Sequence, residues 1–439
     1  MQRRTLLCCA LITPCVAAGQ PGFIDGSRLD LNLRHYYSNQ HTQGDTYLAI
    51  RKDGRLTPTR LRETWVQAAM LDYASGYTRG VLGIGVDASL YSAINLSRGH
   101  GRVANGGDRV LVDSDGDAIP TWSRLAVGAL RLRLAGSTLR VGRQRLDNPI
   151  LRYKDNRALP SSFQGVALSD QSIAGLQLDA GRFDRAIPRT GTGSERLTST
   201  FGDRAVKADS ISYVGARYSG ALSASLYGSH LADTWQQLYV GLGGTLGDRA
   251  KLAVRPAFHY YRTRDSGQQQ LGYIDNQAWS LATTLAHQAH GLTLAWQQVE
   301  GNEYFDYVWE STGNYMANSL YSDYNGPNER SWQLRYDFDA SAYGVPGLSL
   351  GLWHAKGWGI DGSHYQGDRN GRHAGYNVRG LRGARHEENG LVLGYVLQGG
   401  AWRDTSVRTI VYNHRAHGGQ IDGSYDEVRL VVNMPLRLF

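Results

Sequence analysis

Apolar and polar residues alternate one by one over long stretches of this chain. Leu29, Leu31 and Leu33 interleave with Asp30, Asn32 and Arg34. Leu130, Leu132 and Leu134 interleave with Arg131 and Arg133, and Trp332, Leu334, Tyr336 and Phe338 with Gln333, Arg335 and Asp337. In the last such segment Val428, Leu430, Val432, Met434, Leu436 and Leu438 share one parity, opposite Arg429, Val431, Asn433 and Arg437. A helix would scatter these residues over every side, whereas a strand sorts them onto two faces, so the period of two predicts strands. Runs of roughly ten residues match the length of a membrane-crossing β-strand.

The connections alternate as well. Short ones fall at 75–80, 135–137, 169–175, 219–220, 247–250, 288–291, 339–347 and 398–400. Between them come the longer stretches 38–62, 97–121, 144–162, 184–209, 262–275, 301–330, 358–385 and 414–424, with one short outer connection at 231–234. Eight tight turns and nine outer loops join eighteen strands. The expected fold is therefore all-β: an 18-stranded antiparallel transmembrane β-barrel, closed because lipid offers no partner to a free sheet edge. A β-solenoid would carry a fixed repeat period, and the chain has none.

Composition adds a compartment. Arg3 and Arg4, the apolar run 5–16, and Ala17 and Ala18 have the order of a secretory signal cleaved after Ala18. This divides the chain into a signal peptide, 1–18, and a barrel, 19–439. Cys8, Cys9 and Cys15 all lie in the signal, so the remainder carries no disulfide and no thiolate chemistry. Cys15 follows Pro14 rather than a small residue, which argues against a lipoprotein anchor. The mean hydropathy of −0.40 suits a barrel, because lipid-facing and lumen-facing residues cancel. The expected location is the outer membrane of a Gram-negative bacterium, with outer-membrane lipid and lipopolysaccharide as surroundings and the barrel assembly machinery as the partner in biogenesis. Tyr36, Tyr37, Tyr73, Tyr77, Trp122, Tyr260, Tyr261, Trp353 and Trp358 sit near strand ends and are expected in interfacial girdles. Phe439 breaks the parity of the final strand, so either that strand is bulged or Phe439 lies beyond it.

The net charge of +8 comes almost wholly from arginine, since only five of the 47 basic residues are lysine. Arginine grips planar anions through two parallel hydrogen bonds, which points to carboxylate or phosphate partners. Nucleic acid is not an expected partner for an exported chain of this type. Parity places Arg34, Arg131, Arg133, Arg140, Arg335, Arg408, Arg429 and Arg437 opposite the apolar face, hence in the lumen. A charge at mid-depth on the lipid face would cost about 2–4 kcal/mol. The loop from Gln144 onward, with Arg143 at its entry, adds Arg145, Arg152, Lys154 and Arg157 to make five cations against Asp147 and Asp155, with Tyr153 as a hydroxyl donor and Pro149 and Pro160 as stiffeners. Taken alone, these residues fit either a pore-lining loop or an external loop touching lipid phosphates. The stretch 301–330 is acidic and aromatic, and Arg330 is placed to pair with Glu329 or a neighbour.

Other motifs are weak. Asp113, Asp115 and Asp117 in DSDGD lack the glycine position and the closing glutamate of a calcium loop. The histidines are scattered without an HExxH pair, and no GxSxG surrounds Ser161 and Ser162. No cofactor or metal is expected from sequence. Three readings remain: a passive channel for small carboxylate solutes, a non-specific general porin, and an outer-membrane barrel enzyme such as a protease or lipid hydrolase.

The chain resembles the OprD family of substrate-specific outer-membrane porins. The likeness runs through 23–33 (FIDGSRLDLNL), 71–87 (LDYASGYTRGVLGIGVD), 139–144 (LRVGRQ), Asn148–Pro149, 157–165 (RALPSSFQG), 322–337 (SDYNGPNERSWQLRYD), 344–357 (GVPGLSLGLWHAKG) and 433–439 (NMPLRLF). The order and spacing of these segments carry it, across essentially the whole mature chain. The resemblance implies a monomeric eighteen-stranded barrel whose third outer loop folds into the lumen and constricts it. It further implies a ladder of basic residues that leads carboxylate-bearing solutes inward, and a seventh outer loop that reaches the pore as an acidic counterpart.

Overall fold

The computed structural model describes residues 22–52, 55–96, 111, 119–366 and 375–439. The expected signal peptide and the DSDGD segment lie outside the described residues. Eighteen antiparallel strands form the wall: β1 (Arg28–Thr42), β2 (Leu61–Ala74), β3 (Leu82–Asn95), β4 (Thr121–Leu134), β5 (Ser137–Gln144), β6 (Ser162–Ile173), β7 (Leu176–Ile187), β8 (Ile211–Tyr218), β9 (Leu222–Leu231), β10 (Trp235–Gly244), β11 (Leu252–Asp265), β12 (Asp275–His287), β13 (His290–Glu300), β14 (Arg330–Asp339), β15 (Leu348–Asp361), β16 (Arg382–Val396), β17 (Ser406–His417) and β18 (Tyr425–Arg437). Each pairs with its sequence neighbours, and β1 pairs with both β2 and β18, setting Leu33 opposite Ala69 on one side and Met434 on the other. The sheet therefore has no free edge, as the hydrocarbon interior requires. Among the described residues four shorter pieces decorate it: a hairpin of Leu48–Lys52 and Arg55–Thr59, Glu195–Arg196 against β7, and Leu246–Asp248 against β11.

The short turns gather at one end and the outer loops at the other. Five outer loops matter below: L3 (145–161), L4 (188–210), L7 (301–329), L8 (362–381) and L9 (418–424). Several strands run further than their alternation predicts. The turn expected at 169–175 shrinks to two residues between Ile173 and Leu176, and β1, β11 and β15 carry the ladder up past the apolar band.

Parity holds along the wall. On β4, Leu125, Leu130 and Leu134 are exposed toward lipid while Arg124, Ala126 and Ala129 are buried toward the lumen. One bulge resets it: Ser89 faces Val127 but Leu90 faces Leu125, so Ala126 is the extra residue. Arg124 and Arg131 consequently both point inward although one is even-numbered and the other odd.

The girdle expectation needs correction. Tyr36, Tyr261 and Trp353 are buried on the lumen side, and Tyr77 lies against the lumen residues Arg131 and Arg133. Adjacent pairs such as Tyr36–Tyr37 and Tyr260–Tyr261 must split between the faces, because successive side chains of a strand point opposite ways. Trp353 fits inside only because residue 390 on the next strand is glycine: a Cβ there would lie 1.9 Å from the indole ring. Phe439 lies beyond the last strand. Its carbonyl accepts from the Leu29 amide at 3.1 Å, and its ring is exposed.

Among the described residues, three apolar cores lie inside the barrel rather than between sheet layers. One joins Leu146, Ile150 and Leu151 of L3 and Phe305, Val308 and Met316 of L7 to Tyr213, Tyr239 and Tyr261 of the wall. A second joins Ala158 and Leu159, the far end of L3, to Tyr36, Met70 and Tyr91. The third packs Leu320 and Tyr321 of L7 on Trp353, Ile410 and Tyr412.

Candidate functional site

L3 touches opposite arcs of the wall, with its start packed on β8 to β11 and its end on β1 to β3. Local chemistry shapes it. The Asn148 Oδ1 accepts from the amides of Ile150 and Leu151 at 3.0 and 2.9 Å, folding the chain around Pro149. The Tyr261 hydroxyl donates to the Pro149 carbonyl at 3.4 Å, and Arg124 donates to the Pro160 carbonyl at 2.7 Å. L7 runs alongside: Tyr153 bridges to Ser311, the Thr312 amide donates to the Arg152 carbonyl at 2.8 Å, and the Ser161 hydroxyl donates to the Glu310 carbonyl at 2.7 Å.

The arginines expected to meet solute divide into two groups. Arg34 and Arg429 are buried clamps. Arg34 holds both carboxylate oxygens of Asp155 in L3, at 2.5 and 3.2 Å, and donates to Asn433 at 2.6 Å and to the Arg157 carbonyl at 3.0 Å. Arg429 pairs with Glu427 at 2.5 Å, donates to the Tyr412 hydroxyl at 2.8 Å and lies 4.7 Å over the Tyr321 ring of L7. Arg157 donates to the Tyr36 hydroxyl at 3.2 Å and Arg152 pairs with Asp147 at 3.2 Å. Lys154 faces the rings of Tyr307 and Trp309 in L7.

The second group lines open space. A cavity of about 620 Å³ is bounded by Arg28, Arg131, Arg133, Arg140 and Arg145 with Asp72, Asp87, Tyr77, Ser75 and Gln144. Five arginines against two aspartates give the lining a net charge of +3, and Arg28 pairs beyond it with Asp30 at 3.7 Å. Asp87 pairs with Arg131 at 3.1 Å and Arg140 at 3.4 Å, and Asp72 pairs with Arg145 at 3.0 Å. Arg133 lies 4.2 Å over the Tyr77 ring. A neighbouring cavity of about 440 Å³ shares Tyr77, Arg140, Gln144 and Arg145 and adds Arg217, Asp147 and Asp179. Another, of about 450 Å³, places Arg249, Arg255, Arg335 and Arg408 with Asp337 and Asp339; Arg335 chelates Asp337 at 2.6 and 2.8 Å. A cavity of about 930 Å³ lies among Leu292, Leu334, Leu352, Leu391 and Val411, with Trp353 and Tyr412 also lining it.

Two expected residues fall elsewhere. Arg143 belongs to β5 rather than to the loop, and its parity is that of the exposed Val141. It donates to the Leu125 carbonyl at 3.0 Å on the outward face, so it does not line the lumen. Arg437 is exposed at the short-turn end. The acidic side chains of L7 are also mostly committed. Glu303 accepts from the Asp275 amide at 2.9 Å, Asp306 accepts from the amides of Thr200 and Phe201, and Glu310 forms a buried pair with Arg189 of L4 at 2.8 Å. Burial pushes the Glu303 carboxyl up to about 7, and burial raises that of Asp306. Glu329 pairs with His386 at 2.6 Å, not with Arg330, which is exposed. Sequence reasoning missed Arg124, Arg189 and Arg217. The bulge hides the phase of Arg124, and the partner of Arg189 lies 121 positions away.

Comparison with known proteins agrees with the barrel fold. The model of the outer membrane porin, OprD family, matches residues 21–438. Porin D of Pseudomonas aeruginosa is 35% identical over 95% of this chain and 92% of its own length. The crystal structure of Pseudomonas aeruginosa OccD3 (OpdP) superposes with a TM-score of 0.84 at 42% identity, covering 96% of this chain and 94% of that one. OpdK of the same organism, solved with vanillate, gives a TM-score of 0.82 at 28% identity, covering 95% of this chain and 100% of that one. OccK2 (OpdF), solved with glucuronate, gives 0.79 at 28% identity, with coverage of 95% and 100%. These relatives are porins, which leaves the enzyme reading without support. An eighteen-stranded closed barrel that matches the family model from residue 21 to residue 438 is an outer-membrane protein, and the chain belongs to the OprD family of porins.

Proposed function

We propose that this porin is a passive, substrate-selective diffusion channel for small carboxylate-bearing solutes, working as a single barrel without cofactor or energy input. The observation that carries the reading is the 620 Å³ cavity walled by Arg28, Arg131, Arg133, Arg140 and Arg145 against only Asp72 and Asp87. A carboxylate entering it meets several two-pronged donors in succession, each already shared with an aspartate or an aromatic ring. Shared donors bind weakly, and a conducting site needs groups that attract a solute without holding it. L3 and L7 narrow the passage, and the clamps Arg34, Arg124 and Arg429 keep them in place. Two relatives solved with vanillate and glucuronate, both carboxylates, support the same solute class.

Single-channel recording in a planar bilayer tests this. Brief current blockades by one class among benzoate, pyroglutamate and arginine, absent with glucose, are the expected result. Blockade by glucose equal to that by the acids would overturn the proposed selectivity, and absence of any discrete conductance would overturn the channel itself.

A further inference from the structure

We propose a binding site for a divalent transition-metal ion, of the zinc type, at the extracellular end of the barrel, formed by His386 of β16, His414 of β17 and Asp422 of L9. The three offer one ligand atom each, and these atoms all lie within 4.8 Å of one another. The His386 Nδ1 and the His414 Nε2 are 2.8 Å apart. Ligands of a tetrahedral zinc at 2.0–2.1 Å are about 3.3 Å apart, so a small opening of the two rings admits an ion.

The far sides of both rings distinguish this from a chance meeting. The His386 Nε2 is 2.6 Å from a Glu329 carboxylate oxygen, and the His414 Nδ1 is 2.6 Å from the Gly423 carbonyl. Metal-bound imidazoles characteristically donate their other N–H to a carboxylate or a backbone carbonyl, which fixes the ring and raises its basicity. Both histidines are built this way, and in each the nitrogen left over faces the common point. The carbonyl of Gly423 can only accept, so His414 carries its proton on Nδ1 and presents the Nε2 lone pair inward. The His386 Nδ1 then holds the proton between the rings, and an entering ion displaces that one proton to solvent.

The rest of the shell fits. Asp422 is exposed and supplies both charge and an entry route, and its carboxylate accepts from the Ser322 hydroxyl of L7 at 2.5 Å. Ser322 Oγ also lies 3.4 Å from the His386 Nδ1. Two imidazoles and one carboxylate with an open fourth position favour zinc, copper or nickel over calcium or magnesium, which prefer all-oxygen sets. A bound ion joins the wall, L9 and, through Ser322, L7. The cluster escapes motif reading because its ligands come from two strands and a loop.

The test uses the whole purified porin in detergent, stripped with chelator and titrated with zinc chloride by calorimetry. One ion per barrel with micromolar or tighter dissociation is expected, with no heat from magnesium or calcium. Asp422→Asn, an exposed loop change, weakens zinc at least tenfold, and His414→Asn abolishes it, each variant being checked for native heat-modifiable migration. Cobalt gives visible absorption bands in the wild type that Asp422→Asn alters. Absence of saturable zinc binding in the wild type, or unchanged affinity in a folded variant, overturns the site.

Discussion

Replacing Arg133 by glutamine removes one charge from the 620 Å³ cavity while leaving its ion pairs in place, because Asp87 is held by Arg131 and Arg140 and Arg133 rests on the Tyr77 ring. A carboxylate about 4 Å from a guanidinium gains roughly 1 kcal/mol in bulk water and up to roughly 4 kcal/mol at an effective dielectric of 20. For a water-filled cavity with a protein wall the lower part of that range applies, about 1–2 kcal/mol. That corresponds to a loss of roughly 5- to 30-fold in the cavity's affinity for an anion. Adding Arg131→Gln takes the net charge of the lining from +3 to +1, and it also releases the Ser75 carbonyl, to which Arg131 donates at 2.5 Å. The double variant is therefore expected to lose more than twice as much as the single one. Benzoate blockade in planar bilayers measures the anion term, and liposome swelling with glucose measures pore width. In 1 M salt the screening length falls to about 3 Å from about 10 Å at 0.1 M, so the difference between wild type and variant must shrink. Equal losses for benzoate and glucose, or a difference that salt leaves unchanged, would refute the electrostatic account.

Other expectations concern the loops. Arg34→Ala leaves Asp155 without its bidentate partner and L3 without three hydrogen bonds; charge-assisted bonds are worth about 1.5–3 kcal/mol each, and noisier open-channel current with faster proteolytic nicking of L3 is the expected readout. Glu310→Gln strands the Arg189 cation, whose side chain is 1% exposed, at a cost of about 3–5 kcal/mol; an Arg189→Met/Glu310→Leu pair should cost far less, judged by protease access to L7. Glu303 has its proton affinity raised by burial, to about 7 from 4.5, so the docked loop binds a proton that the undocked loop releases. Its contribution to docking is complete below about pH 4.5 and is lost as the pH rises through 7. L7 should thus melt at lower temperature at pH 8 than at pH 5.5, and Glu303→Gln should remove that part of the dependence.

The wall was legible from sequence because its physics is local. Alternation forces side chains onto two faces, and Leu130, Arg131 and Leu132 declare their faces without reference to any other strand. The count of eighteen followed from the spacing of turns, and the ends erred where strands continue above the lipid, where no apolar parity is required. The site was less legible because its partners are distant in sequence. Nothing near Arg34 announces Asp155, and nothing near Arg189 announces Glu310; both partners lie 121 positions away on loops whose path depends on apolar anchors such as Leu151 and Leu159. The resemblance to a known family supplied the inward path of L3, but it did not say which arginines would be consumed in holding it. Arg143 was misplaced because β5 continues through it, so strand parity, not loop membership, decides its direction.

The division of the arginines follows from burial. The side chains of Arg34, Arg189 and Arg429 are 9%, 1% and 6% exposed, and each is matched by a carboxylate; Arg124, also buried, is matched by loop carbonyls. A buried guanidinium must be neutralised or fully hydrogen-bonded, so such residues cannot also offer strong binding to a passing solute. Arg140 and Arg145, at 37% and 34% exposure, keep water on one side and share their carboxylates loosely. On the proposed reading, selectivity depends on the first group only through geometry, since it fixes where L3 and L7 stand, and on the second through charge. Arginine is the residue suited to both tasks: its planar fork holds a carboxylate and a carbonyl at once in the clamp, and it remains charged at any working pH along the pathway. Lysine could replace the second function in part but not the first, which accounts for a lumen built from arginine in a chain with only five lysines.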